Sequence, residues 1–416
     1  MIPVNRQSRL LVCYISGLDI RRIDSRTTPF LAAIPNSYPW TRFVNVPSNE
    51  LFPTLVTGVS PTEHGVWGVK LRPLGRVSRM ATLLDRLPDS VTTTLQGCLH
   101  LVTQAFDLAA VPPRRRRHFQ ITRTKYKRRN NRSEALFKIG GVPSIFDVVG
   151  KERSRYVFNS SPDPERHVFP HLCMNPYVLE VLELYSLDRY QQWNLDRPEA
   201  VGSFYSRIDD FLRRLHAKCE TTGWSMMIIS DHGHEPIQAS IDLNAELTSL
   251  HVSEEAYSYF VEVSSARFWF HTEEARQRIM TLLSRLGHAT VLGFQDMHRF
   301  GVPLCDASYG EVFVFLDPGF TFFPHDFHQG LANLWLGLID PNQRSRLRDP
   351  RHKGNHGHLP HVDVENSFVA FLDRSFEATT QLGNIVDVGP SVLGVLGYEP
   401  PETMKGQQLF RQREFG

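Results

Sequence analysis

Short apolar runs that end in glycine or polar residues recur along the chain. They are typical of strands buried in a parallel sheet. The clearest are residues 9–16 (RLLVCYIS), 224–230 (WSMMIIS) and 368–372 (FVAFL), and residues 42–46 are a further strand candidate. Residues 204–218 carry apolar side chains at helical spacing and lead directly into one of these strands. This alternation predicts a layered α/β fold with a mostly parallel central sheet and helices on both faces.

Residues 240–350 break this rhythm. They contain one helix candidate at residues 273–286 and two strand candidates at residues 266–270 and 311–316. We expect residues 240–350 to form an inserted cap subdomain of the α+β type. The α/β catalytic core is then expected to consist of residues 1–239 and 351–416.

The composition is that of an ordinary globular protein, with 416 residues, of which 41% are hydrophobic and 22% charged. No apolar run approaches the ~20 residues needed to cross a bilayer, so no membrane partner is expected. The N-terminal stretch lacks the basic start, long apolar segment and small-residue cleavage site of a signal peptide. Scattered cysteines without a CxxC pair argue against a disulfide framework or a zinc knuckle and favour a cytoplasmic location: Cys13, Cys98, Cys173, Cys219 and Cys305.

Positive charge is concentrated in one segment. From Arg114 to Arg132 there are ten Lys and Arg residues and no acidic residue. The rest of the chain contains 36 basic and 44 acidic residues. We expect residues 112–133 to form an exposed loop. It could be an arm for nucleic acid, since Phe119 and Tyr126 are interleaved and could stack on bases. We favour a solvated loop or one that steers an anionic substrate.

Polar residues follow several of the predicted strands, and ligands of open α/β sheets bind beyond the carboxyl ends of strands. Ser48, Asp188, the Asp231–His232 pair and His356 all lie in such clusters. Carboxylates and imidazoles converging with a hydroxyl suit a divalent metal that activates a nucleophile and holds phosphate oxygens. We expect the 230–234 turn and His356 to share a metal site.

The sequence resembles the alkaline phosphatase superfamily, in its type I phosphodiesterase/nucleotide pyrophosphatase branch. The matching pieces occur in the family's order and span nearly the whole chain: ISGL, TTPFLAAI, PSNELFPTLVTGVSPTEHGVWG, SLDRYQQW, IISDHGHEPI, GNHGHLP and IVDVGPSVLGVLGYEPPETMKGQQLF. The combination of PTLVTGVSPTEHG with SDHG is specific, whereas any one piece alone would be weak.

The resemblance implies a role for each matched position. Ser48 falls at the metal-bound hydroxyl nucleophile. Asp231 and His232 match the metal pair of the SDHG motif and imply one ion beside Ser48. Asp188 and His356 match ligands of a second ion. Zinc is the expected ion, with manganese, magnesium or iron as alternatives, and the site would hold one or two ions.

Two positions depart from the family pattern. The aspartate that usually ends the first strand is Ser16, and the histidine of the D-x-x-x-H motif is Gln192. Fewer anionic or imidazole ligands imply weaker metal binding and less activation of the nucleophile. Asp19, Glu50 or His234 could supply a substitute ligand.

The resemblance implies a metal-dependent hydrolase of phosphate or phosphonate esters, of the phosphodiester or nucleotide type, with a serine nucleophile. Its partner would be a small anionic phosphate-ester substrate, with nucleic acid not favoured, and the cap would select the leaving group. Sulfuryl or phosphoryl transfer at the same site stays open. The two departures also leave open a degenerate member that binds a ligand or partner without turnover.

Overall fold

The computed structural model describes residues 8–48, 50–71, 86–88, 90–92, 94, 95, 98, 111–121, 136–328 and 330–414. The chain forms two compact units. The first consists of the described residues within 1–67, 123–234 and 360–416, and the second of those within 68–122 and 235–359.

The strands of the described part of the chain are numbered β1 to β19 in chain order. They are Leu10–Ile15, Trp40–Val44, Val69–Leu71, Phe119–Ile121, Ser154–Asn159, Leu179–Leu184, Ser225–Ser230, Glu235–Pro236, Ala239–Ile241, Tyr257–Val261, Ser265–Phe270, Ala289–Gly293, Val312–Leu316, Phe320–Phe322, Gly354–Asn355, Ser367–Phe371, Phe376–Ala378, Leu382–Asn384 and Phe410–Gln412.

The α-helices are numbered α1 to α12 in the same way. They are Pro29–Ser37, Phe52–Thr57, Pro61–His64, Pro113–Arg116, Ile145–Val149, Pro164–His167, Ser186–Asn194, Pro198–Thr222, Leu243–Ser249, Glu273–Leu283, Gly330–Ile339 and Val388–Val395. None of the helices described here has the length and apolar character that crossing a bilayer requires.

The first unit is built on a seven-stranded sheet with the order β18-β2-β16-β7-β1-β6-β5. Four neighbouring pairs are parallel: β18 with β2, β7 with β1, β1 with β6, and β6 with β5. Strand β16 is antiparallel to both of its neighbours, β2 and β7. The prediction of a mostly parallel α/β sheet is confirmed.

Helices cover both faces of this sheet. Successive side chains of a strand point to opposite faces, and every residue of β1 is buried. Leu11, Cys13 and Ile15 pack in one apolar cluster with side chains of α1 and α8. On the other face the ring of Tyr14 lies 5.4 Å from that of Phe52 in α2. Burial from both sides explains why the β1 sequence is a continuous apolar run.

The second unit contains an antiparallel four-stranded sheet with the order β10-β11-β13-β12. Helices α9 and α10 supply apolar side chains to the cluster on this sheet, among them Leu243, Leu247, Ile279 and Leu283. The predicted elements at 266–270, 273–286 and 311–316 appear as β11, α10 and β13.

The predicted basic loop at 112–133 differs from the structure over residues 113–121. Those residues form α4 and β4, and β4 pairs with β3 of the same unit. Phe119 is buried against Phe260 and Trp269, and Arg115 forms an ion pair with Asp326 at 3.1 Å. The burial of Phe119 and the ion pair with Asp326 explain why the first part of the segment packs in this unit. Residues 122–133 lie outside the described residues.

Candidate functional site

Several predicted site residues follow three parallel strands of the first unit. Ser16 follows β1, Asp231 and His232 follow β7, and Asp188 lies in α7, just after β6. Because β7, β1 and β6 are parallel neighbours, their carboxyl ends meet at the same edge. Asp188, Asp231 and His232 are all buried there.

Protein donors surround the carboxylate of Asp231. Its Oδ2 accepts hydrogen bonds from the Tyr14 hydroxyl at 2.5 Å and the Ser16 hydroxyl at 3.1 Å, and its Oδ1 accepts one from the Gly17 amide at 2.9 Å. Two donors on Oδ2 occupy both of its lone pairs. A buried carboxylate satisfied in this way is stable without a cation.

Gly17 is the residue that allows these groups to approach one another. Its φ of +77° lies in the left-handed region, and a Cβ there would stand 2.9 Å from the Asp188 Cα and 3.1 Å from His234 Cε1. Its carbonyl also accepts a hydrogen bond from the Gln191 side chain. Only glycine fits this turn.

Asp188 lies between two side chains of the same unit. Gln192 donates its side-chain amide to Asp188 Oδ2 at 2.9 Å, and His234 Nε2 lies 3.1 Å from Asp188 Oδ1. Gln192 is one turn of α7 after Asp188, which places both side chains on one face of the helix. Both oxygens of this carboxylate therefore have a polar neighbour in the first unit.

His232 is oriented by a hydrogen bond to the backbone. Its Nδ1 lies 3.0 Å from the Gly233 carbonyl, and because a carbonyl only accepts, Nδ1 carries the proton. Its Nε2 lies 3.4 Å from Asp231 Oδ2, and in the neutral ring this nitrogen is the one that carries the lone pair a metal-binding histidine uses. Burial opposes the charged form, but the carboxylates of Asp231, Asp188 and Glu365 together raise the pKa of His232.

The donor set fits one divalent ion better than two. Asp188 and His232 each offer a ligand atom, and these atoms lie within 4.8 Å of one another. A carboxylate and an imidazole at that spacing suit zinc and other first-row metals. At the Ser16 position a neutral hydroxyl donates to Asp231 where the family pattern has a second carboxylate, so this part of the site does not fit a second ion.

Ser48 lies at the loop between β2 and α2 and is buried. Its hydroxyl oxygen accepts a hydrogen bond from the Glu50 amide at 3.0 Å. Helix α2 has Leu51 at its N-cap, with no side-chain capping bond. Ser48 is therefore not the cap of that helix, and its hydroxyl proton is not used in the Glu50 bond.

His356 belongs to the second unit, where it directly follows β15 and is half-buried. Its carbonyl accepts a hydrogen bond from the Ser264 hydroxyl at 2.6 Å. Its role as a metal ligand stays a prediction from the sequence.

Of the three substitute ligands considered from the sequence, His234 contacts an expected ligand, Asp188. Asp19 instead forms an ion pair with Arg21 at 2.8 Å. The backbone amide of Glu50 donates a hydrogen bond to the Ser48 hydroxyl oxygen. Tyr14, whose hydroxyl donates to Asp231, was not among the residues expected from the sequence. The available signal was a single polar-tipped side chain within the otherwise apolar β1.

No protein-family model matches the chain, and no curated protein matches it at a significant level. Solved structures do resemble it. Human ectonucleotide pyrophosphatase/phosphodiesterase 5 superposes with a TM-score of 0.62 and 14% identity, covering 96% of this chain and 97% of that chain. The murine protein gives 0.61 and 14%, covering 95% and 96%. An inactive variant of the murine protein in complex with AMP gives the same values.

The chain therefore has the mixed α/β fold of these structures, and the fold class implied by the sequence is confirmed. At 14% identity this similarity establishes the fold only, and the activity has to be inferred from the site residues.

Proposed function

We propose that this protein is a metal-dependent hydrolase of phosphate or phosphonate esters, acting on diester or nucleotide-type substrates. The observation that carries the proposal is the buried pair Asp188 and His232, with ligand atoms within 4.8 Å at the carboxyl edge of the sheet. The shared fold supports it, since one of the similar structures is described as a complex with AMP.

The proposed donor set combines Asp188 and His232 of the first unit with His356, whose role as a ligand is implied by the sequence motif alone. Together they would offer one carboxylate and two imidazoles. Zinc is the proposed ion, since three such ligands with one open position are typical of catalytic zinc. When bound, the ion would neutralise phosphoryl oxygens and lower the pKa of a nearby hydroxyl. Asp231 would hold the first turn after β1 in place rather than coordinate the ion.

Ser48 is the proposed nucleophile. Its oxygen would attack phosphorus, forming a Ser–O–P bond while the ester P–O bond breaks, and the proton of the Ser48 hydroxyl would pass to the leaving oxygen. Water would then break the Ser–O–P bond, which releases the phosphate monoester and regenerates the hydroxyl. The Glu50 amide that donates to Ser48 Oγ would fix the direction of the attacking oxygen. Selection of the leaving group by residues 240–350 and a cytoplasmic location stay predictions from the sequence.

The test is turnover of bis(p-nitrophenyl) phosphate by the full chain, with chelator and after zinc is restored. We expect Asp188→Asn, His232→Asn and Ser48→Ala each to reduce turnover by about a hundredfold or more. His216→Asn is the matched control, because His216 is a buried imidazole that packs on the rings of Phe30 and Tyr38. Turnover that resists chelator, or an equal loss in the control, would contradict the proposal.

A second candidate is a binding protein without turnover. It is favoured by the two departures from the family pattern, because Ser16 and Gln192 both donate hydrogen bonds to neighbouring carboxylates. Titration with AMP, beside the turnover assay, separates the two functions. Tight binding of AMP with no release of nitrophenol would favour the binding protein.

A further inference from the structure

Several apolar side chains of helix α11 in the second unit are exposed to solvent. Leu331, Leu334, Trp335, Leu338 and Ile339 are exposed, with Leu338 61% and Trp335 55% accessible. Four of them follow the i, i+3, i+4, i+7 spacing of a single helix face. The ten residues of the helix, GLANLWLGLI, contain no charged residue.

The opposite face of the helix packs against the second unit. Asn333 is buried, accepts a hydrogen bond from Arg346 at 3.1 Å and donates one to His328 at 3.3 Å. Gly337, one turn later, is also buried. A helix that buries an asparagine and a glycine while exposing leucines and a tryptophan reverses the usual pattern of a water-facing helix. Exposed apolar patches of this kind mark interaction surfaces.

Positive charge follows the apolar face directly. The 3-10 helix Pro341–Leu347 packs against α11. Residues 341–353 contain five Arg and Lys residues and one acidic residue, Asp349. Arg344 and Arg348 are exposed, and so is the apolar side chain of Leu347. Asp349 is neutralised by ion pairs with Arg351 and Lys353.

We propose that α11 and residues 341–353 form a docking surface for an anionic lipid bilayer. An apolar helix face with a tryptophan lies at the boundary between headgroups and acyl chains, and neighbouring arginines bind anionic headgroups. The helix lies on the membrane and does not cross it. The expectation of no membrane partner rested on the absence of a spanning segment, and a surface helix of ten residues needs none.

Charge favours a bilayer over a second copy of this chain. In a symmetric dimer the same patch faces itself, so the basic residues 341–353 of both copies would be brought together. An anionic surface instead complements this charge, and binding should weaken as salt screens it.

The experiment is co-sedimentation of the full chain with vesicles of phosphatidylcholine containing about 30% phosphatidylserine, compared with pure phosphatidylcholine. The apolar test variant is Trp335→Ser/Leu338→Ser, and the charge variant is Arg344→Gln/Arg348→Gln. The matched control is Leu382→Ser, which removes an apolar side chain of the first unit with 60% exposure.

We expect the unaltered protein to bind the anionic vesicles and to dissociate as salt is raised. The apolar variant should lose about tenfold or more in partitioning, because two inserted side chains are removed. The charge variant should lose binding to the anionic vesicles, and Leu382→Ser should bind within about twofold of the original.

Four outcomes would overturn the proposal. The unaltered protein could fail to sediment with anionic vesicles, or the apolar variant could bind them as well as the original does. A dimer in analytical ultracentrifugation that the apolar variant dissociates, without vesicle binding, would assign the surface to a second copy. A clear fall in Tm of the apolar variant would show that another part of the chain covers the helix.

Discussion

Gln192 donates its side-chain amide to Asp188 Oδ2 over 2.9 Å. Ser16 makes the equivalent contact to Asp231, with its hydroxyl 3.1 Å from Oδ2. At both positions where this chain departs from the ligands implied by the family resemblance, it places a hydrogen-bond donor to the neighbouring carboxylate. A donor in place of a ligand reduces the number of ions that the site can hold, which is the reason for proposing one ion.

The first prediction restores both ligand types. Ser16→Asp would place a second carboxylate beside Asp231, and two carboxylates at that distance repel each other unless a cation or proton lies between them. With Gln192→His added, we expect zinc content to rise towards two ions per chain. We also expect Tm to fall in chelator and to recover by several degrees when zinc is added. Elemental analysis after dialysis and thermal melts measure the two effects.

The control for that experiment is Ser16→Asn with Gln192→His, which has similar volume without the new charge. It should neither gain the second ion nor lose stability in chelator. Unchanged zinc content in the Ser16→Asp, Gln192→His protein would show that these two positions do not face the ion site.

The second prediction concerns His64 and pH. Its Nδ1 accepts the Val66 amide at 3.2 Å, so its Nε2 carries the proton and donates to the Thr54 hydroxyl. Burial lowers the pKa of His64 to about 4. The folded form stays neutral from pH 7 down to about 4, whereas the unfolded form takes a proton near pH 6.5, so stability is lost as the pH falls through this range.

We expect His64 to contribute roughly 3 kcal/mol to that loss of stability. His64→Gln should therefore show a smaller fall in the urea midpoint between pH 7 and 4 than the original protein. His171→Gln, at an exposed position, controls for removal of an imidazole. An identical pH dependence in His64→Gln and the original would contradict the account.

The third prediction tests the packing of the first part of the basic segment. Phe119 in β4 is 2% exposed and lies 5.7 Å from the Phe260 ring and 5.6 Å from the Trp269 ring. Phe119→Ala should cost about 3–5 kcal/mol in stability of the second unit. Gln120→Ala, at the exposed neighbouring position, should change the urea midpoint little. Equal effects of the two substitutions would show that the segment is not packed.

The sequence predicted the sheet well where burial from both faces leaves a continuous apolar run, as in β1 and β7. Ser16, Asp188 and Asp231 follow β1, β6 and β7, and the topology of parallel strands brings the ends of these strands to one edge of the sheet. The contacts at that edge could not be predicted, since the hydrogen bonds of Ser16 and Gln192 depend on side-chain directions in the folded chain.

Strand β6 shows why apolar patterning alone falls short. Its sequence LEVLEL is entirely buried, although Glu180 and Glu183 interrupt the apolar run. Arg155 donates to Glu180 at 3.0 Å, and the Tyr156 hydroxyl donates to Glu183 at 2.5 Å. These two partners lie on the neighbouring strand β5, and the amides of Cys173 and Met174 also donate to Glu180. Only the folded structure therefore shows how these carboxylates are satisfied. Similarly, Arg115 forms its ion pair with Asp326, which is more distant in the sequence. Because this partner is not visible from the local sequence, the whole basic segment was expected to be exposed.

The most direct test of the one-ion account is the zinc content of three proteins after dialysis: the original chain, Asp188→Asn and Asp231→Asn. The account predicts one ion per chain in the original, loss of that ion from Asp188→Asn, and its retention in Asp231→Asn, because Asp231 is held by Tyr14, Ser16 and Gly17. Two ions in the original chain, or zinc retained by Asp188→Asn and lost from Asp231→Asn, would contradict it.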